Sequence, residues 1–107
     1  MNIGIDLKYN KILEKIFEKH NFIDKVVIYG SRAKGNFSNR SDIDFVVYGQ
    51  PIDRFELYKV VNEIEESSLP YNTDIQLISN VKNAQLLYHI DRVGKIFYQR
   101  KSDTISE

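Results

Sequence analysis

The sequence contains no cysteine, so disulfide bridges and thiolate metal sites are excluded. Its 15 basic residues balance its 15 acidic residues, and it therefore lacks the positive field that attracts long nucleic acids. It also lacks an apolar run of membrane-spanning length and the apolar centre of a signal peptide. We therefore expect a cytoplasmic protein that binds neither long nucleic acids nor membranes.

The chain length bounds the domain organisation. A chain of 107 residues can build one core and has little room for a second. We expect a single domain over residues 1–99, followed by a polar tail over residues 100–107. Apolar runs rich in β-branched residues predict four strands. These runs cover residues 25–29, 42–48, 72–78 and 95–98.

Three segments have apolar residues at helical spacing and predict helices around these strands. We expect Asp6 to cap the first helix. The second should begin near Asp53 and stop at Pro70, and the third should be capped by Asn80 and end at Gly94. The sequence therefore predicts an α/β fold of the α+β kind, in which helices flank a small mixed sheet of three to four strands.

A turn that can hold phosphate follows the first predicted strand. Gly30 and Ser31 end that strand, and a helical turn is expected to begin at Ser31. Backbone N–H groups at such a start attract phosphate, and the hydroxyl of Ser31 adds a donor. Three cationic side chains follow closely, which makes them further candidates for phosphate contact: Arg32, Lys34 and Arg40.

Two carboxylates alternate at the start of the next predicted strand. Residues i and i+2 of a strand project from the same face, so Asp42 and Asp44 should converge. Adjacent carboxylates repel each other, and Mg²⁺ is commonly held by one or two carboxylates together with substrate phosphates. These two residues are therefore candidate metal ligands.

A third acid lies in another strand-like run. Asp74 and Gln76 should share one face of that strand, away from the apolar face that carries Ile75 and Leu77. Nucleotidyl transfer by two metal ions benefits from such an additional carboxylate. If this strand lies beside the strand of Asp44, the acids meet.

Simpler interpretations exist for each feature taken separately. A Gly-Ser pair usually marks an ordinary loop, and an isolated Asp-x-Asp is more often a solvated strand edge. The three cations near the turn can equally serve solubility. Their joint occurrence in this order favours nucleotide chemistry. His20 and His89 lack the spacing of paired ligands, and we interpret both as structural or surface residues.

The run GSRAKGNFSNRSDID, residues 30–44, resembles the Gly-Ser and Asp-x-Asp signature of the polymerase-β-type nucleotidyltransferases. The resemblance is to the minimal nucleotidyltransferase (MNT) branch in particular. The predicted order of helices and strands is similar to that branch up to about Tyr98. The resemblance implies a polymerase-β-like nucleotidyltransferase fold.

The same resemblance implies a role for each site residue. Gly30 and Ser31 correspond to the phosphate-binding pair, and Asp42 and Asp44 to the ligands of two Mg²⁺ ions. Asp74 corresponds to the third carboxylate, which helps to activate the nucleophile. ATP is the implied substrate.

Many MNT proteins act as antitoxins of HEPN-type toxins, so the resemblance implies a HEPN toxin as partner. The expected reaction transfers AMP from ATP to a tyrosine of that toxin. Two other functions stay open. One is a nucleotidyltransferase for small molecules, similar to aminoglycoside-modifying enzymes. The other is a non-catalytic antitoxin that blocks its partner by contact alone.

Overall fold

The computed structural model describes residues 2–101, which form four helices, a short 3₁₀ turn and four strands. The helices are α1 (Leu7–Lys19), α2 (Gly30–Lys34), α3 (Arg54–Glu66) and α4 (Ala84–Val93). The strands are β1 (Ile23–Tyr29), β2 (Ile43–Gly49), β3 (Thr73–Leu77) and β4 (Lys95–Gln99). The 3₁₀ turn, Ile78–Asn80, follows β3. No helix within residues 2–101 has both the length and the apolar character needed to cross a membrane.

The four strands form one mixed sheet in the order β3-β2-β1-β4. Strand β1 pairs antiparallel with both β2 and β4, whereas β2 and β3 run parallel. The predicted mixed sheet flanked by helices is therefore confirmed. Strand β2 occupies an interior position, and β3 forms one edge.

The main core lies between α1, α3 and one face of the sheet. Its centre is a group of aromatic rings, in which Phe17 of α1 contacts Phe45 of β2 edge to face at a centroid distance of 5.3 Å. Phe97 of β4 approaches both rings, at 6.0 and 5.1 Å. Such contacts add to the free energy gained by burying the rings. This core fixes which side chains of β1 and β2 face the opposite side.

The opposite face of the sheet is covered by α4 and carries a smaller apolar cluster. Val27, Tyr29 and Val46 from the strands pack there against Val81 and against Ile90 of α4. Because side chains alternate along a strand, the same face displays polar residues toward the end of β1 and the starts of β2 and β3. The candidate site lies at that end.

The helix starts agree with the sequence in part. Asp53 caps α3 as expected, and its side chain accepts a hydrogen bond of 2.9 Å from the N–H of Phe55. Asp6 precedes α1, but its side chain makes no capping bond. Gly94 caps the end of α4 as expected, but the predicted N-cap was wrong: Asn83, not Asn80, is the N-cap and accepts bonds from two backbone N–H groups. Asn80 instead ends the 3₁₀ turn, which delays the start of the helix by one turn.

Arg100, assigned to the tail from sequence, is anchored to the domain. Its guanidinium donates to the backbone carbonyls of Ile23 (2.9 Å) and His20 (2.9 Å) and to two carbonyls in the last turn of α1. The last carbonyls of a helix have no partner within it, so the arginine satisfies groups that the helix leaves open. The packed domain therefore includes Arg100. Residues 102–107 of the predicted tail lie outside the described residues.

Candidate active site

Three strands bring the site residues together at one end of the sheet. Tyr29, the last residue of β1, is the register partner of Asp44 in β2, and Asp44 is the register partner of Asp74 in β3. Paired strands lie about 4.8 Å apart, so the side chains of these register partners are close neighbours on one face. Asp42 precedes β2 by one residue, next to Ile43, whose N–H donates to the carbonyl of Asn72 at 2.9 Å. The structure therefore places the three predicted acids at the same end of the sheet.

The acids differ in exposure and interact electrostatically. Asp44 is half-buried, whereas Asp42 and Asp74 are exposed. Burial raises the pKa of Asp44 above its ordinary value, and the carboxylates of Asp74 and Asp42 raise it further, while the nearby His89 acts in the opposite direction. Burial and the two neighbouring carboxylates thus disfavour the ionised form of Asp44, and a bound cation would relieve this repulsion.

Within residues 2–101, no three carboxylate, imidazole or thiol groups are close enough together to hold a metal ion by themselves. A site of this kind fits an ion that takes some of its ligands from protein carboxylates and the others from the phosphates of a nucleotide. Mg²⁺ is commonly bound in this way. Asp44 and its two acidic neighbours are the residues that would hold it.

The Gly30 turn approaches Asp44 directly. Gly30 has a φ of +76°, and a Cβ at this position would overlap Oδ2 of Asp44. Only glycine has both the backbone freedom and the small size for this contact. Helix α2 begins at Gly30, one residue before the predicted start at Ser31, and ends at Lys34. Its C-cap, Gly35, is also left-handed, with a φ of +93°.

His89 of α4, interpreted from sequence as a structural or surface residue, lies at this site. Its Nε2 accepts a hydrogen bond of 3.1 Å from the N–H of Gly30, and its ring contacts Tyr29 edge to face with centroids 6.1 Å apart. The two bonded residues are 59 positions apart, so no local spacing reveals the contact. His20, by contrast, is structural as expected, since its Nε2 contacts Glu63 of α3 at 3.2 Å.

Tyr29 and Gln76 form a hydrogen-bonded pair next to the acids. The side-chain amide of Gln76 donates to the hydroxyl of Tyr29 at 3.0 Å. Burial raises the pKa of Tyr29, the bond from Gln76 lowers it in part, and the carboxylates of Asp74 and Asp44 raise it again. Tyr29 therefore stays neutral at physiological pH and contributes no further negative charge.

The predicted phosphate-contacting cations lie in different environments. Lys34 and Arg40 are exposed. Arg32 is only 1% exposed, and its guanidinium donates to the carbonyls of Ile3, Gly4 and Ser41. A phosphate contact from Arg32 would require these bonds to break. Of the three predicted cations, only Lys34 and Arg40 are therefore free to contact phosphate in this conformation.

A mixed sheet that gathers acids beside a glycine-serine turn is the architecture of a nucleotidyltransferase domain. The family model "Polymerase beta, Nucleotidyltransferase" matches residues 10–103, so the chain belongs to this family. The superfamily that the sequence motif predicted is thereby confirmed. Comparison with curated proteins gives no significant match.

Several solved structures with the same fold come from toxin–antitoxin complexes. A chain of one such complex, crystallised with AMP-PNP, is 17% identical and has a TM-score of 0.68 over 86% of this chain and 74% of that chain. A chain from the complex of a tri-AMPylated Shewanella oneidensis HEPN toxin with an MNT antitoxin is 15% identical, with a TM-score of 0.59 over 85% and 73% of the two chains. A third, from the MntA-HepT complex, is 14% identical with a TM-score of 0.63 over 89% and 74%. These similarities establish the fold.

Proposed function

We propose that this protein is an Mg²⁺-dependent adenylyltransferase that transfers AMP from ATP to a tyrosine of a HEPN-type toxin and thereby acts as its antitoxin. One observation carries the proposal: Asp44 is flanked by Asp42 and Asp74 and lies against the Gly30 turn. Membership of the nucleotidyltransferase family and the fold shared with chains of HEPN–MNT complexes support it.

In this proposal the site residues divide the work of binding. The Gly30 turn and the hydroxyl of Ser31 hold the phosphates of ATP, as backbone N–H groups at a helix start commonly do. The exposed Lys34 and Arg40 can add charge to this contact, whereas Arg32 is not assigned to it. Two Mg²⁺ ions, when bound, neutralise phosphate charge and lower the pKa of a coordinated hydroxyl.

The proposed transfer step assigns a role to each of the three acids. Asp42 and Asp44 supply carboxylates on the phosphate side of the site. Asp74 takes the proton of the incoming tyrosine hydroxyl, whose oxygen bonds to the α-phosphorus of ATP while the bond to the β-phosphate breaks and pyrophosphate leaves. A phenol has a pKa near 10 in water, so its activation at neutral pH needs such a base and a nearby cation.

The acceptor side chain has access to the acids. Asp74 lies exposed on the edge strand β3. An open groove of about 520 Å³ lies next to Asp42, between the end of α3 and the segment that leads into β3, and neither Asp44 nor Asp74 lines it. We therefore assign the approach of the partner's tyrosine to the exposed edge strand β3 beside Asp74, and the binding of ATP to the side of the Gly30 turn.

The direct test incubates the protein with Mg-ATP and the product of the adjacent reading frame, as the candidate HEPN-type toxin, followed by intact-mass measurement. We expect the toxin to gain one or more AMP units on tyrosine. The matched control is the Asp42→Asn, Asp44→Asn double variant, which should bind the toxin without modifying it. A double variant that neutralises the toxin as well as the unaltered protein would favour a non-catalytic antitoxin. Modification of a hydroxylated small molecule, with none on the toxin, would favour the small-molecule enzyme.

A further prediction concerns His89. Its Nε2 accepts the hydrogen bond of the Gly30 N–H, the same group that binds a phosphate of ATP in our proposal. The phosphate must displace the imidazole, and one hydrogen bond contributes a net free energy of about 0.5–1.5 kcal/mol. We expect His89→Ala to tighten ATP binding by roughly 2- to 10-fold, measured by calorimetry with AMP-PNP and Mg²⁺. Gln85→Ala, an exposed change in the same helix, is the control. Weaker or unchanged nucleotide binding by His89→Ala would contradict the prediction.

A further inference from the structure

We propose that Arg32 is a positioning residue, which fixes the place of Asp42 relative to Asp44 and Asp74 by tying the loop before β2 to the N-terminal segment. The proposal rests on the assignment of the three acids under the proposed function. It assigns the Arg32 guanidinium to the protein backbone and not to the nucleotide.

The contacts of Arg32 converge on the residue before Asp42. Its Nε and Nη2 both donate to the carbonyl of Ser41, at 3.1 and 2.9 Å. Its Nη1 donates to the carbonyl of Ile3 at 2.9 Å and to that of Gly4 at 3.3 Å. One planar group therefore joins the start of the described chain, α2 and the loop that leads into β2.

The same guanidinium contacts the segment that leads into β3. It lies over the ring of Tyr71 at 5.0 Å and that of Phe37 at 5.2 Å. Tyr71 precedes Asn72, whose carbonyl accepts the N–H of Ile43 at the start of β2. Arg32 thus touches the approaches to both strands that carry the acids.

The free-energy cost of burying Arg32 indicates that an arginine is needed here for the fixed geometry of its hydrogen-bond donors. Within residues 2–101, no ion pair involves Arg32, and its polar contacts are to carbonyl oxygens. Burying a charge without a counter-charge is expensive, and an apolar side chain would fill the same space at lower cost. An arginine offers what an apolar residue lacks, a rigid fork of N–H donors that holds several acceptors in fixed geometry.

The Arg32→Lys substitution distinguishes the effect of the positive charge from the effect of the guanidinium geometry. A lysine keeps the charge, but its single nitrogen cannot bridge the carbonyls of Ser41 and Ile3 as the guanidinium does. If Arg32 positions Asp42, then Arg32→Lys should lower kcat for toxin modification by about 10- to 100-fold, because small misplacements of reacting groups have effects of this size. It should also raise the Mg²⁺ concentration for half-maximal activity several-fold, while KM for ATP stays within about twofold.

The experiment measures kcat, KM for ATP and the Mg²⁺ dependence of toxin modification, at a temperature well below the melting temperature of each variant. Arg54→Lys, at the start of α3 and the far end of β2, is the matched control and should change none of these values. Binding of Mn²⁺ in the presence of AMP-PNP is measured in parallel and does not depend on transfer. We expect it to weaken several-fold in Arg32→Lys.

Each outcome decides the proposal. A lower melting temperature with unchanged kcat, Mg²⁺ dependence and Mn²⁺ binding would overturn it, because Arg32 would then serve stability alone. A raised KM for ATP with unchanged kcat would also overturn it, since that result indicates a nucleotide contact. If the unaltered protein binds Mn²⁺ with AMP-PNP but never modifies the toxin, the proposed function fails, and the Mn²⁺ measurement still decides the role of Arg32.

Gly4→Ala tests the same link from the opposite side, should Arg32→Lys fail to fold. Gly4 has a φ of +75°, and a Cβ there would lie 2.9 Å from Nη1 of Arg32 and overlap the ring of Phe37. The substitution should therefore displace the guanidinium without removing it. We expect the same changes in kcat and Mn²⁺ binding as for Arg32→Lys, and a fully active Gly4→Ala variant with unaltered Mn²⁺ binding would contradict the proposal.

Discussion

Replacing Asp44 with asparagine is expected to abolish adenylyl transfer and, at neutral pH, to raise the stability of the protein. Transfer should fall by at least about 10²-fold, because the carboxylate lies at the centre of the three acids and its charge is needed where the cation and phosphates meet. The fold should persist, since the charge of Asp44 is repelled by its neighbours and contributes no favourable ion pair within the described residues.

The stability gain should depend on pH in a defined direction. The folded-state pKa of Asp44 is raised, by burial first and by Asp74 and Asp42 next, so its ionised form destabilises the folded protein. Below the ordinary carboxyl pKa, Asp44 is protonated in both states and the variant should have no advantage. The advantage should grow as the pH rises from the ordinary carboxyl pKa to the folded-state pKa of Asp44, and stay constant above it.

Thermal melts across the acidic and neutral range, together with the toxin modification assay, check this prediction. We expect the melting temperature of Asp44→Asn to exceed that of the unaltered protein by a few degrees at pH 7. Asp24→Asn, an exposed acid on β1, is the control and should change neither measurement. A melting temperature that falls in Asp44→Asn, or transfer close to the normal rate, would show that Asp44 has a different role.

Gly30→Ala should remove activity and destabilise the fold at the same time. The left-handed backbone conformation, with a φ of +76°, costs an alanine about 1–2 kcal/mol. The added Cβ would also overlap Oδ2 of Asp44, so the carboxylate or the turn must move. Transfer should therefore be lost by the same factor as in Asp44→Asn, but with a decrease in stability.

The Gly35→Ala variant distinguishes the effect of backbone strain from the effect of the clash with Asp44. Gly35 is also left-handed, with a φ of +93°, but no atom lies within 4 Å of the position of its Cβ. Urea unfolding should show a loss of about 1–2 kcal/mol for Gly35→Ala and a larger loss for Gly30→Ala. Gly35→Ala should retain most of its transfer activity. Equal losses of stability, with transfer preserved in Gly30→Ala, would show that the contact with Asp44 does not matter.

The sequence was sufficient for the sheet because its information is local. Continuous β-branched runs identify β1 and β2, and the period of two along a strand places Asp44 on the face opposite Phe45. The same alternation placed Asp74 and Gln76 together, and the parallel register of β2 and β3 joins them to Asp44. The fold and the face on which each acid lies therefore follow from pattern and motif, whereas the pairing of β2 with β3, which the sequence analysis left as a condition, comes from the structure.

The features that sequence analysis missed depend on distant contacts. Arg32 follows a glycine turn, where a cation is usually exposed, and its burial depends on carbonyls 28 and 29 residues away. His89 meets Gly30 only because α4 packs across β1. Asn80 and Asn83 are equally good caps by composition, and the 3₁₀ turn decides between them. Local patterns do not contain this information.

Helix α4 buries few side chains, and this connects the exposure of the Gly30 amide with local opening of the molecule. Ile90 is the single buried side chain of α4, whereas α1 buries three. Helices with few buried contacts separate from the rest of a protein at a lower free energy than the core does. Because α4 carries His89, each excursion of this helix also uncovers the Gly30 amide, so opening of α4 is a second way, besides displacement of the imidazole alone, in which that amide becomes available to a ligand.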